Sequence, residues 1–148
     1  MYTEARPVHD SVGHLNQLYR GRRPSSVLLV ESDLFQLSVL EDMLGDFGVH
    51  GITKAMGSLA GLIALDAMAT PPDLVMCDLD MPGVEGQQFM ESLGARGYKG
   101  AVVLMSGADL NAMHAATLTA RYHHVKIAGA LGKPISASAL AAVLRNLS

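Results

Sequence analysis

Leu74-Val75-Met76-Cys77-Asp78-Leu79-Asp80-Met81-Pro82-Gly83 is the stretch on which the fold turns. Its apolar opening runs straight into a carboxylate, and the chain then breaks at Pro82-Gly83. A short apolar run bounded by turn formers reads as a strand buried on both faces, the kind found in parallel sheets covered by helices on each side. In open sheets of that kind, ligands bind just outside the carboxyl ends of the strands. Asp78 therefore stands where a site residue stands, because a core position seldom tolerates an unpaired carboxylate. Taken alone, it reads equally well as the cap of a following turn.

The same pattern recurs on both sides of this run. Ser26 to Val30 is a strong strand that leads into Glu31, Ser32 and Asp33. Asp33 then caps a helix to about Phe47, with Leu34, Leu37, Leu40, Leu44 and Phe47 as its apolar stripe. Val49 to Lys54 is a weaker strand, followed by a helix through Leu59, Leu62, Ile63 and Ala67 that Thr70-Pro71-Pro72-Asp73 closes. Beyond Gly86 a helix carries Phe89, Met90 and Leu93, and Ala101 to Met105 forms another buried strand ending at Ser106-Gly107. Asp109 caps a helix through Leu110, Met113 and Thr117 to about Tyr122. A poorer strand, Ile127 to Leu131, ends in Gly132-Lys133-Pro134, and Ser136 opens a last helix with Leu140, Val143, Leu144 and Leu147 on one face. Strands and helices alternate throughout, with the short loops of βα units. Right-handed crossovers then give an α/β, doubly wound, parallel five-stranded sheet with helices on both faces.

Composition agrees with one such domain. The chain has 148 residues, 49% of them hydrophobic and only 5% aromatic, so its core is built from aliphatic side chains and Met, as in a helix-on-sheet fold. One cysteine, Cys77, excludes an internal disulfide framework and a multi-cysteine metal site. The six histidines are scattered, and no pair has the spacing of metal ligands. No signal-peptide pattern opens the chain and no run is long enough to span a membrane, which points to the cytoplasm and to no membrane partner. Residues 1–24 read as an extension before a domain at 25–148. They carry a balance of +2 against −5 for the remainder, and Val12, Leu15, Leu18 and Tyr19 recur at helical spacing. Four arginines without interleaved aromatics read as a solvated segment, so no nucleic-acid binding is expected.

Polar residues at the strand ends form a constellation: Glu31 and Asp33 after the first strand, Asp78 after the third, Ser106 after the fourth and Lys133 after the fifth. In a parallel sheet these ends share one edge. A pocket of acids, a hydroxyl and an ammonium suits phosphoryl transfer, with Asp78 as nucleophile and Mg²⁺ held by carboxylates to offset the repulsion between two anions. Lys133 then neutralises one phosphoryl oxygen and Ser106 donates a hydrogen bond to another.

These residues resemble the receiver domain of bacterial two-component response regulators over roughly residues 26–147. The motifs are Glu31-Ser32-Asp33, Cys77 through Gly86, Ser106-Gly107 and Lys133-Pro134. The resemblance implies a flavodoxin-like strand order 2-1-3-4-5, with Asp78 accepting a phosphoryl group from a histidine kinase or phosphotransfer protein. It also implies Mg²⁺ held by Glu31, Asp78 and the Asp80 backbone carbonyl, with Asp33 the acid available to compensate for Ser32. Ser106 would be the switch hydroxyl, Lys133 the phosphoryl partner, and an output domain, a downstream protein or a second copy in a homodimer the reader of the switch. The Leu131-Gly132-Lys133-Pro134 ending resembles receivers fused ahead of cyclic-di-GMP phosphodiesterase domains.

Two positions depart from the family. It usually has two adjacent acids after the first strand, where this chain has Glu31 and Ser32. Losing one carboxylate lowers the expected Mg²⁺ affinity. It commonly has Tyr or Phe three residues before the lysine, where this chain has Ala130, and a rotating ring cannot relay a signal through alanine. These departures motivate a rival reading as a pseudo-receiver that binds a partner without phosphorylation. Asp78-Leu79-Asp80 also resembles the nucleophile motif of haloacid-dehalogenase-type phosphatases, but no acidic residue follows Lys133. A switch, and not an enzyme, is therefore the expected function.

Overall fold

The computed structural model describes residues 23–80, 86–107 and 110–147. The proposed N-terminal helix, the Met81 to Glu85 part of the acidic motif and the Asp109 cap lie outside them. The five strands are β1 (Val27–Glu31), β2 (Ile52–Met56), β3 (Leu74–Asp78), β4 (Ala101–Ser106) and β5 (Lys126–Gly132). The helices between and after them are α1 (Leu34–Asp46), α2 (Ser58–Ala67), α3 (Gly86–Ala95), α4 (Leu110–Tyr122) and α5 (Ala137–Arg145). All four strand pairings are parallel, in the order β2-β1-β3-β4-β5. This is the doubly wound parallel sheet expected from the alternation of strands and helices, in the flavodoxin-like order that the family resemblance implies.

Burial explains which strands were plain in the sequence. Every residue of β1, β3 and β4 is buried, so each reads as a continuous apolar run. The edge strands β2 and β5 are largely half-buried or exposed and carry polar residues, which is why their patterns were weaker. Within the sheet, side chains alternate between two cores. Val27, Leu29, Met76, Val103 and Met105 pack with α1 and α5. Leu28, Val30, Val75, Cys77, Val102 and Leu104 pack with α2, α3 and α4. A strand buried on both faces must be apolar at both parities, and this one is.

One helix turns differently from the periodicity expected of it, and in another contact distance selects the buried face. Leu34, placed in the α1 stripe, is 63% exposed, while Leu37, Leu40 and Leu44 are buried. In α2, Leu59 and Ile63 are exposed, and the buried face is Ser58, Gly61 and Leu65. Gly61 decides this: a Cβ there would lie 2.9 Å from Val30 Cγ2, so the absence of a side chain lets the helix settle directly on β1. Apolar residues on every side of α2 leave the periodicity unable to choose a face, and contact distance chooses it instead. The helix caps follow local chemistry. Asp33 Oδ1 accepts from Phe35 N at 2.8 Å and Gln36 N at 3.3 Å, and Ser136 Oγ accepts from Ala139 N at 3.1 Å.

Candidate functional site

The strand order 2-1-3 means that the chain winds in opposite directions from β1 and from β3, so a crevice opens between their carboxyl ends. Glu31 closes β1 and Asp78 closes β3 at this crevice, and both are almost fully buried, at 2% and 1% exposure. Their parity is the same: Glu31 continues Val27 and Leu29, and Asp78 continues Leu74 and Met76, so both follow the side of the sheet that faces α1 and α5. Lys133, two residues beyond the buried Leu131, reaches in from the far edge.

Lys133 Nζ is the hub. It lies 2.7 Å from Asp78 Oδ1, 3.4 Å from Glu31 Oε1 and 3.6 Å from Asp80 Oδ2. Three carboxylates against one ammonium leave the cluster formally at −2. Asp78 Oδ1 also accepts the Asp80 backbone N–H at 3.0 Å. The contacts from Lys133 and from the Asp80 amide both fall on Oδ1, which makes Oδ2 the candidate nucleophile. Glu31 Oε2 accepts from Ser32 N at 3.1 Å and Asp33 N at 3.2 Å, so the turn after β1 holds this carboxyl in place.

The charge excess shows in the acid–base behaviour of the pocket. Burial pushes the Glu31 carboxyl up to about 7, reinforced by a hydrogen bond that its protonated form donates to Asp78 and by the Asp78 charge, with Lys133 pulling the other way. Burial depresses Lys133, but the bond to Asp78 and the charges of Asp78, Glu31 and Asp80 outweigh it, so the ammonium is held above its usual range. Lys133 therefore stays charged at neutral pH. Cys77, beside the acceptor, is fully buried and its thiol is pushed strongly upward by desolvation and the nearby carboxylates, as suits a core side chain.

The structure brings Glu31, Asp78, Asp80 and Lys133 together, and brings Ser106 to Asp80. Ser106 Oγ donates to Asp80 Oδ1 at 3.1 Å, and Gly107 N donates to Asp80 Oδ2 at 2.6 Å. The Asp80 carboxylate is the participant that motif reading missed, since only its backbone carbonyl carried a role there. A third acid two residues past a strand end was the available signal. Asp33 Oδ1 is taken up by the α1 cap.

Mg²⁺ is commonly bound through one or two carboxylates with water completing the shell. No three His, Cys, Asp or Glu side chains among the described residues form a metal-holding group. Glu31 and Asp78 nevertheless fit the ion as a pair. Glu31 Oε1 is a buried oxygen that accepts no hydrogen bond among the described residues, and the donor set is hard oxygen with surplus negative charge. Ser32 is exposed at the rim and brings no charge.

The response regulator receiver domain family matches residues 27–145, and the chain belongs to that family. It is 36% identical over 72 residues to the sensor histidine kinase GacS of Pseudomonas protegens, a match that spans 48% of this chain and 7% of that protein. Among solved structures, it resembles the signal receiver domain of an HD domain-containing protein from Pseudomonas fluorescens Pf-5. The TM-score is 0.71 and the identity 24%, covering 85% of this chain and 94% of the other. It also resembles the Vibrio cholerae chemotaxis protein CheY4, with a TM-score of 0.69 and 16% identity over 84% of this chain and 98% of that one. At these identities the structural likeness speaks for the fold. No helix among the described residues is long and apolar enough to cross a membrane.

Proposed function

We propose that this receiver domain takes a phosphoryl group on Asp78 and thereby switches a partner or output domain in two-component signalling in the cytoplasm. The observation that carries this is the buried Asp78 carboxylate held 2.7 Å from Lys133 Nζ. Asp78 Oδ2 attacks phosphorus, a P–O bond forms, the donor's P–N or P–O bond breaks, and the bonding pair leaves with the donor's imidazole or carboxylate. Lys133 meets the charge on a phosphoryl oxygen, so positioning and electrostatics supply most of the catalysis. Glu31, Asp78 and the Asp80 carbonyl would hold Mg²⁺, which offsets the repulsion between carboxylate and phosphoryl group when bound.

Receiver domains work with histidine kinases and output domains, and are in general signalling modules without turnover of their own. The surface near the pocket suits a protein donor. Leu34 and Phe35 at the start of α1, Met56 at the end of β2 and Leu59 in the first turn of α2 are all exposed, at the carboxyl edge of the sheet where Asp78 lies. Such apolar side chains suit the helices of a kinase or phosphotransfer protein. Acetyl phosphate with Mg²⁺ tests the assignment by intact mass. The expected result is the gain of one phosphoryl group that Asp78→Asn abolishes. A wild-type protein that gains none would instead be a pseudo-receiver.

A further inference from the structure

The side chain of Asp80 is used in a way that phosphoacceptance at Asp78 does not require. One carboxylate takes both donors at the end of β4: Ser106 Oγ on Oδ1 at 3.1 Å and Gly107 N on Oδ2 at 2.6 Å. The approach is so close that a Cβ on Gly107 would lie 3.1 Å from Oδ2, tighter than side chains normally tolerate. Sheet parity explains why Ser106 meets Asp80 first. Val102 and Leu104 belong to the core under α2, α3 and α4, so Ser106 leaves the strand on that side, whereas Asp78 follows Leu74 and Met76 on the other.

Resting on the phosphoacceptor reading above, we propose that Asp80 is a latch that holds Ser106 and Gly107 away from Asp78 until a phosphoryl group on Asp78 displaces it. Two forces act in the same direction once the group is in place. Its oxygens are strong acceptors for Ser106 Oγ, and its charge repels the neighbouring Asp80 carboxylate. Lys133 adds to the effect. Its Nζ is shared between Asp78 at 2.7 Å and Asp80 at 3.6 Å, and drawing it toward a phosphoryl oxygen leaves Asp80 less neutralised. Ser106 thus has two discrete acceptors, Asp80 Oδ1 and a phosphoryl oxygen, as a switch requires, while Gly107 N loses its partner on release. The latch also gives the loop a route that does not pass through β5. There Ala130 is exposed and pairs in register with Leu104, and it has no ring to swing inward. Asp80 is a positioning residue in this scheme.

The Gly107 amide reports the latch directly. Hydrogen exchange followed by NMR on the whole chain should show this amide protected in the unmodified wild type. It should exchange roughly tenfold faster or more in Asp80→Ala, and by a smaller factor in Asp80→Asn, which keeps one neutral acceptor. The buried β4 amides of Val103 and Met105 should be unchanged, which shows that both variants fold. Wild type phosphorylated with acetyl phosphate and Mg²⁺ should show the Gly107 acceleration without mutation. Protection of Gly107 that is indifferent to Asp80 in a protein that does gain a phosphoryl group overturns the latch alone. A wild type that gains no phosphoryl group overturns the release step together with the phosphoacceptor reading.

Discussion

Replacing Glu31 by Gln should make the domain more stable at alkaline pH and remove a pH dependence that the wild type carries. The Glu31 carboxyl is raised from 4.5 to about 7 by burial and by Asp78. Between those values the native state binds more protons than the unfolded chain, so wild-type stability falls as pH rises through that window. The full shift corresponds to about 3 kcal/mol. Allowing for the strong interaction of Glu31 with its neighbours, about 2–3 kcal/mol is the expected loss between pH 4.5 and 8. Glutamine keeps an oxygen for the Ser32 and Asp33 amides and gains an N–H that can donate to Asp78, with no charge to bury. Urea melts in EDTA at pH 5 and pH 8 check this. The variant should roughly equal wild type at pH 5 and exceed it by about 2–3 kcal/mol at pH 8, with unchanged m-values. Added Mg²⁺ should flatten the wild-type slope by binding the ionised form. An identical pH slope in Glu31→Gln would refute the argument, since the slope would then belong to other groups.

Two further substitutions test other parts of the reasoning. Ser32→Asp adds a carboxylate at the rim of the pocket and should tighten Mg²⁺ binding roughly tenfold, about 1.4 kcal/mol, by titration calorimetry; an unchanged affinity would place position 32 outside the reach of the ion. Gly61→Ala forces a Cβ to 2.9 Å from Val30 Cγ2 and 3.2 Å from Cγ1, against a strand with no freedom to retreat. Overpacking of about 1–3 kcal/mol exceeds the gain of up to about 1 kcal/mol in helix propensity, so the urea midpoint should fall, and a rise would show that α2 stands further from β1.

The polar ends of β1, β3 and β4, Glu31, Asp78 and Ser106, were legible because buried parallel strands leave a sharp boundary. β1, β3 and β4 are apolar to their last turn, and a polar residue that ends such a run stands out. The edge strands were fainter because only part of their surface is covered. The buried face of α2 was not legible for the opposite reason: Leu59, Leu62 and Ile63 wrap around the helix, and hydrophobicity alone cannot rank them. The carboxylate of Asp80 was invisible as an acceptor because its partners, Ser106 and Gly107, lie 26 and 27 residues away.

By itself the sequence determined the alternation of strands and helices, hence a doubly wound parallel sheet, and it placed Glu31, Asp78, Ser106 and Lys133 at one edge. Those properties follow from local periodicity and from the rule that parallel strands point the same way. The tertiary structure alone decided how these groups divide. Strand parity and the order 2-1-3-4-5 bring Glu31, Asp78 and Lys133 to one side, where burial raises the Glu31 carboxyl, and leave Ser106 to bond Asp80, which touches both Lys133 and the end of β4. The physical reason is that a residue's face, neighbours and dielectric surroundings are set by packing between distant segments, which a linear pattern does not encode.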